Sequence, residues 1–388
     1  MKKGKSGVIV LGVTVLLLLL AGGFFFVQRS ATNKSFSLDT TDATPTAPEI
    51  SLARRPTSSA KQISTKAKPT NGTPNAATPL ANATGSSSPP SKPNGIYQFA
   101  GHNSTNNADK PYLQGTYLGY YWSQLEPQQG QYNWNAIDED MKPWATNKKK
   151  VILRVATSGW TRWEPASGSG HATPQWVYDS GVRSMTEMDQ SVHPEYWNPK
   201  FLAAYQSFVS ALAQRYDGNP AIAVIEIGIG DGGETKVDTR RDNPQLLDQW
   251  QSIGYSDPIW WDTIQKVITI YTSNFHSTPL VILPDSSFIG KTGGYGESML
   301  VDYATSHGLW LQDDGLATGR TLQASWLTVP RIEEQLVSTS QSGDSLHDDL
   351  QAALNLKATC VLIYADDINA PQNTTVLQQM DTLFLQNS

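Results

Sequence analysis

Eight short apolar or β-branched runs recur after residue 94 of this 388-residue chain, at 96–100, 116–122, 151–156, 221–229, 280–284, 309–312, 327–334 and 359–364. Helix-compatible stretches separate most of them, at 136–146, 199–216, 258–275, 296–307 and 345–357. In the second of these, Phe201, Leu202, Tyr205, Phe208, Val209 and Leu212 follow the three-and-four spacing of one buried helical face. Strands that alternate with helices belong to parallel sheets, because each parallel connection needs a crossover long enough to hold a helix. Eight such units close most economically as a (β/α)8 barrel, a TIM barrel of the α/β class, over residues 95–388. An open doubly wound sheet is the alternative, and no Gly-x-Gly-x-x-Gly follows the first run to support a dinucleotide fold.

The segment before the barrel has another character. Lys2, Lys3 and Lys5 form a basic tip (1–6) ahead of the uncharged, mostly apolar residues 7–27. As a helix those 21 residues reach about 30 Å, the thickness of a bilayer's hydrocarbon core. The lysines keep the first residues in the cytoplasm, which leaves the bulk of the chain outside, so residues 7–27 are expected to be a transmembrane signal-anchor in contact with the lipid bilayer. A cleaved signal peptide and a secreted protein is the alternative; the apolar run exceeds the usual length and no small-x-small site follows directly. Residues 28–94 are rich in Ser, Thr, Pro, Asn and Ala and contain none of the 12 tryptophans, the composition of a disordered linker.

Charge narrows the partners. Residues 1–94 carry 11 Lys/Arg against 3 Asp/Glu, leaving 18 against 32 for the rest. Clustered carboxylates would repel a phosphate backbone, so no nucleic acid is expected at the barrel, whereas a neutral carbohydrate suffers no penalty. The one cysteine, Cys360, sits in an apolar run and reads as a small core residue. His102, His171 and His193 lack metal-ligand spacing, so neither metal nor cofactor is expected, and no Gly-x-Ser-x-Gly elbow signals a serine hydrolase.

In a barrel of this kind the active site lies at the carboxyl ends of the strands. Several runs end in acids or aromatics there: Trp122 and Glu126 after the second, Asp231 and Glu234 after the fourth, Asp313 and Asp314 after the sixth, Glu333 and Glu334 at the seventh, and Asp366 and Asp367 after the eighth. The segment Trp122-Ser-Gln-Leu-Glu126-Pro127, followed by Gly130-Gln-Tyr132-Asn-Trp134 and Ile137-Asp138, resembles clan A glycoside hydrolases, especially the family 42 β-galactosidase-like barrels. Pro174-Gln-Trp176, Pro194-Glu-Tyr196-Trp197-Asn-Pro199 and Arg215-Tyr216-Asp217-Gly218 are also similar, so the likeness spans roughly residues 115–235.

That resemblance implies a proton donor from the fourth strand and a nucleophilic carboxylate from the seventh, the pair that a retaining glycosidase needs. The donor then falls on Glu234 in Gly232-Gly233-Glu234, although the commoner Asn-Glu ending is replaced by Gly228-Ile229-Gly230. Glu226 is the rival. Period-two alternation turns it inward, opposite Ile225 and Ile227, where an ion pair to Arg154 of the third strand is the structural expectation. Of Glu333 and Glu334 only one can face the barrel; Glu334, on the face of Ile332, is the expected nucleophile and Glu333 the alternative.

Trp122, Trp160 and Trp163 are candidate sugar-stacking walls, while Trp176 and Trp310 read as core. Glu126, Arg154, Asp231, Asp313, Asp314 and Tyr364 complete the candidate substrate-binding set, Asp231 and the aspartate pair being equally suited to capping helices. The leading expectation is a membrane-anchored retaining glycosidase. A non-catalytic carbohydrate-binding barrel and a surface scaffold protein are the competing readings.

Overall fold

The computed structural model describes residues 93–99, 107–159, 171–186, 191–238, 243–285 and 296–387. Strands β1 (Gly95–Phe99), β2 (Gly115–Tyr121) and β3 (Lys150–Ala156) come first, with helices α1 (Trp122–Leu125) and α2 (Asn135–Thr146) between the last two. Helix α3 (Gln175–Asp179), a hairpin of β4 (Ser184–Thr186) and β5 (Val192–Pro194), and α4 (Pro199–Tyr216) lead to β6 (Ile222–Glu226). Helices α5 (Pro244–Ser252) and α6 (Asp257–Thr272) precede β7 (Leu280–Ile282), and α7 (Glu297–Ser306) precedes β8 (Trp310–Leu316). Then follow β9 (Arg331–Gln335), α8 (Thr339–Ser342), α9 (Leu346–Asn355), β10 (Cys360–Tyr364), α10 (Ala365–Asn369) and α11 (Thr374–Gln386).

Eight of these strands close a parallel barrel in the order β1-β2-β3-β6-β7-β8-β9-β10, with β10 returning to β1 from Gly95 against Cys360 to Phe99 against Tyr364. The expected (β/α)8 architecture is therefore present, and the doubly wound alternative is excluded by closure. The hairpin β4–β5 stands apart as a two-stranded sheet that the apolar runs did not announce.

Alternation along the strands sorts the side chains into two cores. Tyr97, Phe99, Tyr117, Ile152, Val224, Val281, Trp310, Ile332, Cys360 and Leu362 fill the barrel, whereas Leu118, Leu153, Val155, Ile225 and Leu311 meet the surrounding helices. Helix α4 shows how the sequence builds the outer layer. Pro199 opens it, the Asn198 side chain caps it by accepting from the Lys200 amide at 3.0 Å, and Phe201, Tyr205, Phe208, Val209 and Leu212 form the buried stripe.

The family-like segments turn out to be braces within this layer. Asp138 of α2 accepts from Tyr216 Oη at 2.9 Å and pairs with Arg215 at 2.6 Å, both at the end of α4. Asp217 then accepts from the backbone N–H groups of His276, Ser277 and Thr278, fastening the start of β6 to the start of β7.

Among the described residues no helix is long and apolar enough to cross a membrane. The apolar stretch 7–27 and most of the 28–94 linker lie outside the described residues.

Candidate active site

The carboxyl ends of β3, β6, β8, β9 and β10 converge on one cluster of charge. Arg154 stands opposite Glu226 in the β3–β6 ladder, and its Nη1 lies 3.2 Å from Glu226 Oε1, so the expected ion pair is present. Glu226 is fully buried. Burial pushes its carboxyl above the usual range, while the Arg154 charge and the Tyr117 hydroxyl pull it back down. The Tyr117 ring also stacks against the guanidinium, 5.2 Å from centroid to Cζ. Glycine makes this approach possible: a Cβ at Gly228 would fall 2.2 Å from the Val155 carbonyl oxygen and 3.0 Å from Arg154 Cγ.

Across the barrel, β9 carries Ile332 inward, and Glu334 follows on the same face. Unlike Glu226, Glu334 is half-buried and keeps accessible surface. Burial drives its carboxyl well above the ordinary value; Asp314 and Glu226 push the same way, against Arg154 and a hydrogen bond from Gln312. Gln312 Nε2 donates to Glu334 Oε2 at 2.8 Å. Tyr364, at the end of β10, is half-buried and feels the charges of Glu334 and Asp314. Glu334, Asp314, Arg154 and Tyr364 are thus brought together.

Glu234 reaches the strand ends by a different route. Gly230, at φ +94°, turns the chain out of the β6 line, and a Cβ there would lie 2.2 Å from the Glu234 carbonyl oxygen. A single 3-10 turn from Asp231 to Gly233 follows, with Gly233 set against Arg154 and Ala156. Thr235 then stitches the segment to the end of β7: its hydroxyl donates to the Leu283 carbonyl at 2.5 Å and accepts from the Asp285 amide at 2.9 Å. Glu234 keeps 16% of its side chain exposed and forms an ion pair with Lys236, whose Nζ also lies 3.3 Å from Asp285. Asp231 is buried at the head of this turn.

Several sequence expectations are corrected. Trp122 is no sugar platform: it is fully buried among Trp176, Phe201, Tyr205 and Phe208. Glu126 is its partner, accepting from the indole N–H at 2.7 Å and from the Gly130 amide at 2.8 Å, so both acceptors are used to fold a loop. Strand β8 extends four residues beyond the expected end at 312, which places Asp313 within the strand on the face opposite Gln312 and Asp314. There it forks onto Arg320 at 2.5 and 3.0 Å, outside the site. Glu333 is likewise turned away: it is fully buried, paired with Arg331 across from Asp313, and pushed up to about 8 by burial and the Asp313 charge. It cannot serve as the alternative nucleophile. Trp310 and Cys360 are barrel core, as read, and Trp176 packs edge-on against Trp122. Trp160, Trp163 and His102 lie outside the described residues.

Lys236, Asp285, Gln312 and Tyr117 were not singled out in the sequence. Asp285 directly follows the fifth apolar run, so the rule that flagged acids at other strand ends would have found it. Gln312 closes the sixth apolar run and, as an uncharged amide, falls outside the acids and aromatics weighed at strand ends. No signal short of the fold pairs Lys236 with Glu234. Among the described residues no group of His, Cys, Asp and Glu is arranged to hold a metal.

Glu334, on the barrel face near the end of β9, and Glu234, on the loop after β6, are the candidate acids of the site. Comparisons with known proteins give a family match over part of the chain and a likeness of fold. Residues 112–276 match the glycoside hydrolase family 42 profile, described as beta-galactosidase. No curated protein matches the chain in sequence. Among solved structures, the catalytic domain of a beta-amylase from Paenibacillus polymyxa is similar over 77% of this chain and 100% of its own, at 9% identity and a TM-score of 0.53. An endo-glycoceramidase II from Rhodococcus sp. aligns over 74% of this chain and 78% of its own, at 12% identity and a TM-score of 0.43. With the closed eight-stranded barrel and the family 42 match over residues 112–276, this chain is a TIM-barrel glycosidase similar to the family 42 β-galactosidase-like proteins.

Proposed function

We propose that the barrel is a retaining glycosidase acting on an uncharged oligo- or polysaccharide, with Glu234 as acid/base and Glu334 as nucleophile. The observation that carries the reading is the placement of Glu334, an inward carboxylate at the carboxyl end of the seventh barrel strand that keeps accessible surface beside Asp314, Arg154 and Tyr364. In the first step a Glu334 oxygen bonds to the anomeric carbon as the bond to the leaving oxygen breaks; that oxygen keeps the electron pair and takes the proton of Glu234. In the second, Glu234 removes a proton from water, the water oxygen bonds to the anomeric carbon, and Glu334 departs as a carboxylate. Asp314 and Tyr364 line the sugar. Buried Glu226 neutralises Arg154 rather than touching substrate.

The proposal includes an anchor: residues 7–27 span the membrane, residues 28–94 act as a spacer, and the barrel stands outside the cell. Protease added to intact cells should then release the barrel; full protection would refute the topology. The catalytic reading is tested with the full-length protein on p-nitrophenyl β-galactoside, other aryl glycosides and polysaccharides. Glu334→Gln and Glu234→Gln should each lower turnover by about a thousandfold, and variants that turn over as well as the wild type would overturn it. The ion pair from Lys236 to Glu234 favours a second reading, a carbohydrate-binding barrel without turnover, because it suits a fixed charge better than a proton donor. Polysaccharide binding without hydrolysis, unchanged in Glu234→Gln, would be its signature.

A further inference from the structure

Gln312 occupies an unusual place for an amide. It lies on β8 between Trp310 and Asp314 on the barrel face, fully buried, and its Nε2 donates to Glu334 Oε2 at 2.8 Å. Its Oε1, equally buried, has no hydrogen-bond partner among the described residues. A buried carbonyl left without a donor destabilises the fold, and an apolar side chain of the same length would avoid that cost. Stability alone therefore does not account for Gln312. Its one satisfied group is the N–H aimed at Glu334.

We infer that Gln312 is the positioning residue of Glu334: it holds Oε2 and leaves Oε1 as the atom that attacks the anomeric carbon. The inference rests on the reading of Glu334 as nucleophile. A carboxylate free to rotate presents either oxygen in many orientations, and attack needs one of them aligned within a narrow range. An N–H donated to one oxygen fixes the plane of the group and also favours its ionised form, the form that reacts. Burial, Asp314 and Glu226 all oppose ionisation here. Arg154 is the other counterweight, and its Nη1 is already engaged with Glu226.

The test is Gln312→Met in the full-length protein, which keeps the length and removes the donor. Its melting temperature should be unchanged or raised, since an unsatisfied carbonyl leaves the core. The Glu334 carboxyl, followed by NMR in protein labelled with carbon-13 at the glutamate Cδ and assigned by its loss in Glu334→Gln, should titrate about one pH unit higher than in the wild type. On p-nitrophenyl β-galactoside, kcat should fall about tenfold or more with KM within twofold, and the acidic limb of the pH profile should move up with the carboxyl. An unshifted Glu334 titration, or a variant that loses stability while keeping the wild-type pH profile, overturns the inference; the titration decides it even if this glycoside is not turned over. Undiminished turnover by Glu334→Gln is a separate result that defeats the assignment of the nucleophile itself.

Discussion

Replacing Arg154 by Met removes one half of an ion pair whose other half has no exposed surface. At 3.2 Å and an effective dielectric constant of about 20, two unit charges attract by ~5 kcal/mol, and removing one partner of a buried pair typically costs about 3–5 kcal/mol. Glu226 can limit that cost by taking up a proton. Its carboxyl is already held above the unfolded value by burial, and the Arg154 charge is the largest influence pulling it down, so Arg154→Met raises it further. A carboxyl raised in the folded state contributes its full stability below the unfolded pKa and loses it as pH rises toward the folded one. The Arg154→Met deficit should therefore be small near pH 5 and approach about 3–5 kcal/mol near pH 8, a drop in melting temperature of roughly 6–15 °C for a domain of this size. Urea unfolding followed by tryptophan fluorescence at both pH values measures it. The double variant Arg154→Met/Glu226→Gln should recover about 2 kcal/mol or more at pH 8, because no charge is then left buried. A deficit below about 1 kcal/mol, independent of pH and untouched by Glu226→Gln, would refute the view that this pair governs the barrel interior.

Glu333 gives a second pH signature. Its folded carboxyl sits at about 8 through burial and the facing Asp313, so stability is full below about pH 4.5 and declines as pH rises toward 8; Glu333→Gln should flatten that slope in unfolding curves measured across the window, and an unchanged slope counts against the assignment. Trp122→Ala should cost about 3–5 kcal/mol of folding stability, as for other large-to-small core changes, and Trp122→Phe should leave KM for any glycoside unchanged. A KM that rises in a Trp122→Phe protein of normal melting temperature would show that the residue reaches substrate after all.

Much of this molecule was legible before any coordinates. Eight apolar runs with helices between them define the barrel, because a strand buried on both faces must be apolar along its length and a parallel neighbour must be reached by a crossover. Period two was enough to turn Glu226 and Glu334 inward and to pair Glu226 with Arg154. The residues that carry the family likeness, Trp122, Glu126, Asp138, Tyr216 and Asp217, have a role in this fold that the sequence conceals: they brace helices and loops.

What the linear chain could not supply was the position of strand ends and the company that each side chain keeps. Setting the end of the sixth strand at 312 left Asp313 and Asp314 looking alike, yet four more residues of ladder send one to Arg320 and the other to Glu334. The meetings of Lys236 with Asp285, and of Gln312 with Glu334, join residues from separate strands or the segments that follow them. Local periodicity sets which way a side chain points, because it follows from backbone geometry one residue at a time. Which charge that side chain then meets depends on the register between neighbouring strands and on the closure of the barrel, and both are fixed by packing over the whole domain.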